Sequence, residues 1–175
     1  MINEAVFALE SDRLLIQPLT YAQVLQYQAG AILFQPATGV PQPAYTVPPE
    51  LVEVLADFIL PNLKAAGAQY YFHTLWLISE KQAGHVVGSF LFKGRPDAQG
   101  RIEIGYGTEG DFQGRGYMTE ALATALQWAD SQPEIIEMHA ETEVDNLASI
   151  QVLKKNNFEQ CGQKGTLLCW RKPCQ

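Results

Sequence analysis

The chain has 175 residues, of which 47% are hydrophobic, and it carries a formal net charge of −7 at pH 7. This length and composition fit a single globular domain over residues 1–175. The acidic charge argues against general nucleic-acid binding, which needs a basic surface, and it weakly favours a cationic ligand. No apolar run is long enough to cross a membrane, and the first residues lack the basic start of a signal peptide. We therefore expect a cytoplasmic protein that binds neither nucleic acid nor membrane.

The three cysteines contain no Cys-x-x-Cys pair, and the three histidines show no metal-ligand spacing with them or with one another. An odd number of cysteines without such a pair is typical of free thiols in a reducing compartment. We therefore expect no disulfide framework and no bound metal.

The first quarter of the chain predicts a strand, a short helix and a loop. Residues 13–19 have the composition of a strand, and Thr20 can cap the helix that follows. Half of the ten prolines then lie between residues 36 and 49. Because proline disrupts helices and central strands, this segment must be a loop, either a binding loop or a plain surface connection.

The next segment predicts a second helix and an antiparallel pair of strands. Pro49 is well placed to begin the helix, which either ends or kinks near Pro61 or continues to Gly67. Residues 73–78 and 85–92 are rich in apolar and β-branched residues, and a turn containing a glycine separates them. This pattern predicts two strands joined in a hairpin.

The second half of the chain predicts a parallel β-α-β unit. A strand at residues 101–106 completes a three-stranded antiparallel meander, and a helix with an apolar stripe begins at Gly116. The next strand, predicted at 134–144, must run parallel because a helix lies in the connection. Asp145 or Asn146 is then predicted to cap another helix, and residues 158–171 are predicted to form a final hairpin. The predicted fold is α/β, with a mixed, mostly antiparallel central sheet flanked by helices.

Residues 113–116 form a glycine-bearing turn between a strand and a helix, which is typical of an anion site. The first turn of a helix has unpaired N–H groups and the positive end of the helix dipole. No Gly-x4-Gly-Lys-Ser/Thr string exists, so the turn is not a nucleoside-triphosphate loop. Gly114 and Gly116 are followed by Thr119 rather than a third glycine, which disfavours a flavin or nicotinamide binder.

Three further segments carry motifs in the order of a known family. They are residues 11–19, residues 102–106 together with 119–122, and residues 145–150 together with 154–158. In the last segment, Asn157 occupies a position that is usually glycine, and asparagine can stand there because it tolerates a left-handed backbone. With the Gln-x-x-Gly turn, these segments resemble the GNAT superfamily of N-acetyltransferases, and within it the branch of ribosomal-protein alanine acetyltransferases. The family loop usually reads Gln/Arg-x-x-Gly-x-Gly/Ala, and this chain has Met118 at the last position.

The resemblance implies that acetyl-coenzyme A binds along this motif. The backbone of Tyr106 and Thr108 would pair with the pantetheine arm like an added strand, and Asn146 would bind an amide of the same arm, cap the next helix, or do both. Arg115 would reach a phosphate unless it faces solvent. The residues expected at the pyrophosphate are Gln113, Gly114, Arg115, Gly116, Met118 and Thr119.

The resemblance also implies direct attack of an amine on the thioester. Glu103 is the candidate base, acting directly or through water; the alternative is a surface ion pair with Arg101 on the same strand face. Ser149 is the candidate donor to the sulfur; the alternative is a solvated serine in the first helical turn. Several aromatic residues either line the acceptor pocket or belong to the core: Tyr70, Tyr71, Trp76, Phe90 and Phe92.

The implied function is therefore acetyl transfer to a primary amine, which is either a protein N-terminus or a small molecule. The main alternative is a non-catalytic module of the same fold that binds or senses acyl-coenzyme A. The acceptor is not specified by the sequence, because fold does not fix function. A homodimer is left open.

Overall fold

The computed structural model describes residues 7–30 and 46–174, so most of the predicted proline-rich loop lies outside the described residues. The strands are β1 (Leu9–Glu10), β2 (Leu14–Pro18), β3 (Leu75–Glu80), β4 (Val86–Phe92), β5 (Arg101–Thr108), β6 (Glu137–Glu143), β7 (Glu159–Lys164) and β8 (Leu167–Pro173). The helices are α1 (Tyr21–Gln28), α2 (Pro49–Val54), α3 (Leu60–Ala65), α4 (Tyr117–Asp130) and α5 (Leu147–Lys155).

The strands form one eight-stranded sheet in the order β1-β2-β3-β4-β5-β6-β8-β7. Neighbouring strands are antiparallel except β5 and β6, which are parallel and connected through α4. The prediction of a mixed, mostly antiparallel sheet flanked by helices is confirmed, as are the meander and the β-α-β unit. The two-residue strand β1 was not predicted, because so short a segment carries no alternation to detect.

Helices cover both faces of the sheet, and successive residues of β3 belong to different cores. Trp76 packs in the core under α4 and α5, whereas Leu75 packs in the core under α1, α2 and α3. Trp76 stacks on Phe90, with ring centroids 5.3 Å apart, and lies 5.2 Å from the Trp128 ring of α4. The sequence allows the strand aromatics either to line the acceptor pocket or to be core residues. Trp76 and Phe92 belong to the core.

The helix predicted from Pro49 continues through Pro61 instead of ending there. A π-helical segment, Leu55–Ile59, separates α2 from α3, and Pro61 lies in the first turn of α3. Proline has no N–H to donate and its ring crowds the preceding turn, so it disrupts a regular α-helix. The π-helical segment just before Pro61 has wider turns, and these accommodate the absence of the hydrogen bond that proline cannot make.

Local capping signals are found where the sequence predicts them. The Thr20 side chain accepts from the Gln23 N–H, and the Gln23 side-chain oxygen accepts from the Thr20 N–H, which is a capping box at the start of α1. At the end of α5, Asn157 has a φ of +59°. Asn157 thus has the left-handed backbone expected at this position.

Within residues 7–30 and 46–174, no helix is both long and apolar enough to cross a membrane. The same residues contain no group of three or more His, Cys, Asp or Glu side chains arranged to hold a metal ion.

Candidate active site

A cavity of about 430 Å³ opens where β5 and β6 diverge. The two strands pair only between Arg101–Glu103 and Glu137–His139, so the second half of β5 has no strand on that side. The loop before α4, the first turn of α4 and one side of α5 close the cavity. Its lining includes Ser149 and every residue predicted to bind the cosubstrate except Arg115: Tyr106, Thr108, Gln113, Gly114, Gly116, Met118, Thr119 and Asn146.

The loop presents backbone amides to this cavity. Gly114 and Gly116 have φ values of +72° and +78°, left-handed conformations that side chains disfavour. Gly116 is the N-cap of α4 and supplies no side-chain cap. The first intrahelical bond runs from Glu120 N–H to Gly116. The amides of the preceding turn, from Tyr117 to Thr119, therefore remain available to an anion, and the helix dipole adds positive potential.

Met118 lines the first cavity, but its side chain packs toward β4. The side chain is only 5% exposed, and its Cε lies 3.2 Å from the place where a Cβ on Gly88 would stand. The larger residue thus packs against β4. Thr119 follows on the cavity wall, and its carbonyl oxygen accepts a 3.1 Å bond from the Asn156 side chain. This bond ties the first turn of α4 to the end of α5.

Arg115 lies on the outer side of the loop. Its guanidinium is 5.3 Å from the centroid of the Phe112 ring, and its backbone carbonyl accepts a 3.1 Å bond from Arg13. Its contact with a phosphate stays a prediction. Lys155, which the sequence pattern did not mark as a ligand residue, is the one charged side chain among the described residues that line the cavity. It lies six residues beyond Ser149 on α5, about 9 Å along the helix axis.

The free edge of β5 offers backbone groups to an extended ligand. The bond from Lys93 N–H to the Glu103 carbonyl, 2.9 Å, shows that odd-numbered residues of β5 bond to β4. Because the pattern alternates, Tyr106 and Thr108 direct their backbone groups toward the cavity. The Thr108 carbonyl accepts a 3.3 Å bond from the Gln113 side chain. An added strand is therefore geometrically possible at the predicted place.

Ser149 is held from both sides by residues of the cavity wall. Its N–H donates to the Asn146 side chain at 3.1 Å, which confirms Asn146 as the N-cap of α5. Its carbonyl oxygen accepts a 3.2 Å bond from the Tyr106 hydroxyl. Burial raises the pKa of Tyr106 to about 12, so the phenol is a neutral donor at ordinary pH. Nothing in the sequence pattern marked this side chain as a link between β5 and α5.

A second cavity, of about 400 Å³, shares Tyr106, Gly107 and Thr108 with the first. Residues of α2 and of the core beneath it, among them Leu51 and Leu75, line this second cavity. It therefore lies on the opposite face of the sheet from α4 and α5. Two ligands could meet at the end of β5, one from each face.

Glu103 lies outside both of these cavities. Its carboxylate forms an ion pair with Lys93, and it lines a separate cavity of about 290 Å³ that also contains His139. Arg101 pairs with Asp97 at 2.8 Å. The ion pair considered for Glu103 is thus present, but with Lys93 instead of Arg101. The assignment of Glu103 as the base stays a prediction.

The sequence matches a family of known proteins over most of its length. Residues 13–159 match the family model described as the acetyltransferase (GNAT) domain. A protein of Bacillus subtilis (strain 168), described as the uncharacterized N-acetyltransferase YjdG, is 37% identical over 83 residues, which are 47% of this chain and 49% of that protein. The match to this curated relative thus spans about half of its length.

Solved structures of similar fold include two ribosomal-protein acetyltransferases. That of the ribosomal-protein-S5-alanine acetyltransferase from Vibrio fischeri has a TM-score of 0.67 at 13% identity, covering 96% of this chain and 97% of that one. RimL, the ribosomal L7/L12 alpha-N-protein acetyltransferase in complex with coenzyme A, has a TM-score of 0.64 at 18% identity, covering 95% and 98%. At these identities the likeness concerns the fold alone. The family match itself includes β5, the loop, α4 and α5, which build the first cavity, and the chain therefore belongs to the GNAT acetyltransferase family.

Proposed function

We propose that the protein is an N-acetyltransferase that moves the acetyl group of acetyl-coenzyme A to a primary amine by direct attack. One observation carries the proposal: the first cavity, with its loop amides, meets the second cavity at Tyr106, Gly107 and Thr108. A donor and an acceptor can therefore approach the same end of β5 from opposite faces of the sheet. Such positioning is a main source of rate enhancement in group transfer.

The first cavity fits the cosubstrate at several points. The amides that follow Gly116 would hold the pyrophosphate, and Lys155 adds the positive charge that phosphates favour. The backbone of Tyr106 and Thr108 would pair with the pantetheine arm, with Asn146 binding one of its amides. Acetyl-coenzyme A supplies an acetyl group activated as a thioester. The side chains of the protein then have two tasks, which are to remove a proton from the amine and to stabilise the departing sulfur.

Ser149 is proposed to stabilise the leaving thiolate. It lies in the first turn of α5 and lines the first cavity. A hydroxyl is a poor acid, so its contribution is a hydrogen bond, supported by the positive end of the α5 dipole. The Ser149 N–H donates to Asn146 and the Ser149 carbonyl accepts from Tyr106, and these two bonds fix its position, which is what such stabilisation requires.

Glu103 is proposed to accept the amine proton through a water molecule. It shares a strand face with Gly105, which lines the second cavity, and the two Cα atoms are about 7 Å apart along β5. This separation suits a bridging water better than direct contact. Glu109 is the rival candidate because it lines the second cavity itself.

Replacing Tyr106 with phenylalanine should lower the turnover number by up to about tenfold, because a neutral hydrogen bond contributes about 0.5–1.5 kcal/mol. The dissociation constant of coenzyme A should change little. Because the pKa of Tyr106 is about 12, the hydroxyl stays protonated between pH 7 and 10, and the loss should be the same across this range. Rate profiles of both proteins against pH provide the measurement. A loss that grows or vanishes within the range would show that this phenol titrates there, contrary to the account.

The acceptor is proposed to be a protein N-terminus or a small amine. The two solved relatives are named for acetylating ribosomal proteins, which supports testing protein N-termini first. The alternative is a module that binds acyl-coenzyme A without turnover, which the engagement of Glu103 by Lys93 favours.

The release of coenzyme A thiol from acetyl-coenzyme A, measured against a panel of amines, tests the proposal. We expect release that depends on the amine and saturates with it, together with one acetylated product per thiol. Tight binding of coenzyme A with no amine-dependent release would favour the binding module.

A further inference from the structure

Two residues of β5, Gly105 and Gly107, are glycines although neither their backbone conformation nor the surrounding packing requires glycine. Neither Gly105 nor Gly107 has a left-handed backbone, and a Cβ added to either would meet nothing within 4 Å. Gly88 on the neighbouring strand differs, because a Cβ there would lie 2.5 Å from the Gly107 carbonyl oxygen. Glycine weakens a strand, and in a strand interior it often marks a place where a ligand approaches the backbone.

Both glycines face the second cavity. Gly105 lines the second cavity and not the first, whereas Gly107 lines both. They therefore leave a floor of bare backbone, which apolar residues of α2, β3 and β4 surround. Among the described residues of its lining, the charged ones are Glu50 and Glu109, which are both acids. Such a lining attracts a cation and repels an anion.

We infer that the second cavity is the acceptor site, and that it takes a primary amine attached to an uncharged, apolar group that lies on the backbone of Gly105 and Gly107. This inference rests on the proposed function. The amine enters as an ammonium ion and loses a proton. Its nitrogen then bonds to the acetyl carbon while the carbon–sulfur bond breaks, and the nitrogen loses a second proton as the amide forms. The sulfur leaves as a thiolate and takes up one proton, so two protons are lost and one is taken up. Each turnover thus releases one net proton.

Three acceptors that share one alkyl group test the chemical class. Isoamylamine is a small amine with an apolar body, leucinamide presents the same group as a peptide N-terminus would, and leucine adds a carboxylate. We expect isoamylamine, leucinamide or both to be acetylated, with kcat/KM at least about tenfold above that of leucine. Isoamylamine is a stronger base than leucine and leucinamide is a weaker one, so kcat/KM is compared per unprotonated amine, which removes differences in basicity. The better of the two neutral acceptors distinguishes the small-molecule source from the peptide source.

Gly105→Ala tests the floor of the cavity directly. The methyl group has room in the folded protein, so the unfolding temperature should not fall. The added methyl group should raise the KM of the neutral acceptor at least about fivefold, because it occupies space in the second cavity that the acceptor would fill. Calorimetry should show the acetyl-coenzyme A affinity unchanged, because Gly105 does not line the first cavity. The control is Gly162→Ala on β7, where the Cβ would lie 3.9 Å from the Cys169 Cβ. It should change none of these values.

The outcomes separate this inference from the proposed function. An unchanged acceptor KM in Gly105→Ala overturns the inference. So does a wild-type protein with the same kcat/KM for leucine as for the neutral acceptors. So does a wild-type protein that acetylates other amines but neither isoamylamine nor leucinamide. Binding of coenzyme A without turnover of any amine overturns the proposed function instead. If Gly105→Ala unfolds, the acceptor series still decides the chemical class.

Discussion

Replacing Glu103 with glutamine is expected to lower the turnover number by about 100-fold or more, because a general base typically contributes that much to the rate. The dissociation constant of acetyl-coenzyme A should change little, since Glu103 does not line the first cavity. Glutamine keeps the size of the side chain but cannot accept a proton at working pH. Steady-state rates with the best acceptor, together with calorimetric titration of the cosubstrate, measure both quantities. The wild-type rate should rise with pH as the amine loses its proton.

Glu109→Gln is the matched comparison, since Glu109 is a second carboxylate near the end of β5 and lines the acceptor side. We expect it to weaken acceptor binding and to leave most of the turnover at saturating acceptor. Near-full activity of Glu103→Gln alongside a steep loss in Glu109→Gln would reverse the assignment. Near-full activity in both variants would mean that another group, or water, removes the proton.

Gly116→Val should weaken coenzyme A binding by more than about tenfold, or about 1.4 kcal/mol. Gly116 has a φ of +78°, where a β-branched residue is strained. Relief of that strain would move the amides of Tyr117, Met118 and Thr119, which are proposed to bind the pyrophosphate. Calorimetric titration of the folded variant measures the effect.

The control is Gly165→Val, in the turn between β7 and β8. Gly165 has a φ of +61°, and a Cβ there would meet nothing within 4 Å, so the variant carries a similar backbone penalty far from the cavity. Its coenzyme A affinity should match that of the wild type. Equal affinity in Gly116→Val would place the phosphates elsewhere in the protein.

Features that depend on local sequence were predictable. The capping box of Thr20, the N-cap at Asn146 and the left-handed Asn157 each follow from the chemistry of one short segment. The parallel pairing of β5 and β6 follows from the helix in their connection. The Gln-x-x-Gly turn could likewise be placed between a strand and a helix without any tertiary information.

Features that depend on distant parts of the chain were not predictable. The pairing of Glu103 with Lys93 joins two strands, and side-chain alternation within β5 pointed to Arg101 instead. The bond from Tyr106 to Ser149 spans 43 residues of sequence. The second cavity arises because α2 lies over the sheet. One local signal was present, however, in the two glycines of the Gly-Tyr-Gly run of β5, since glycine inside a strand often marks the approach of a ligand.

The most direct test of the account is a crystal structure of the protein with coenzyme A bound. We expect the pyrophosphate on the amides between Gln113 and Thr119, and the pantetheine arm along the backbone of Tyr106 and Thr108. The thiol should lie near Ser149 at the entrance to the second cavity. Coenzyme A bound on the other face of the sheet, or with its phosphates away from the loop, would contradict the account.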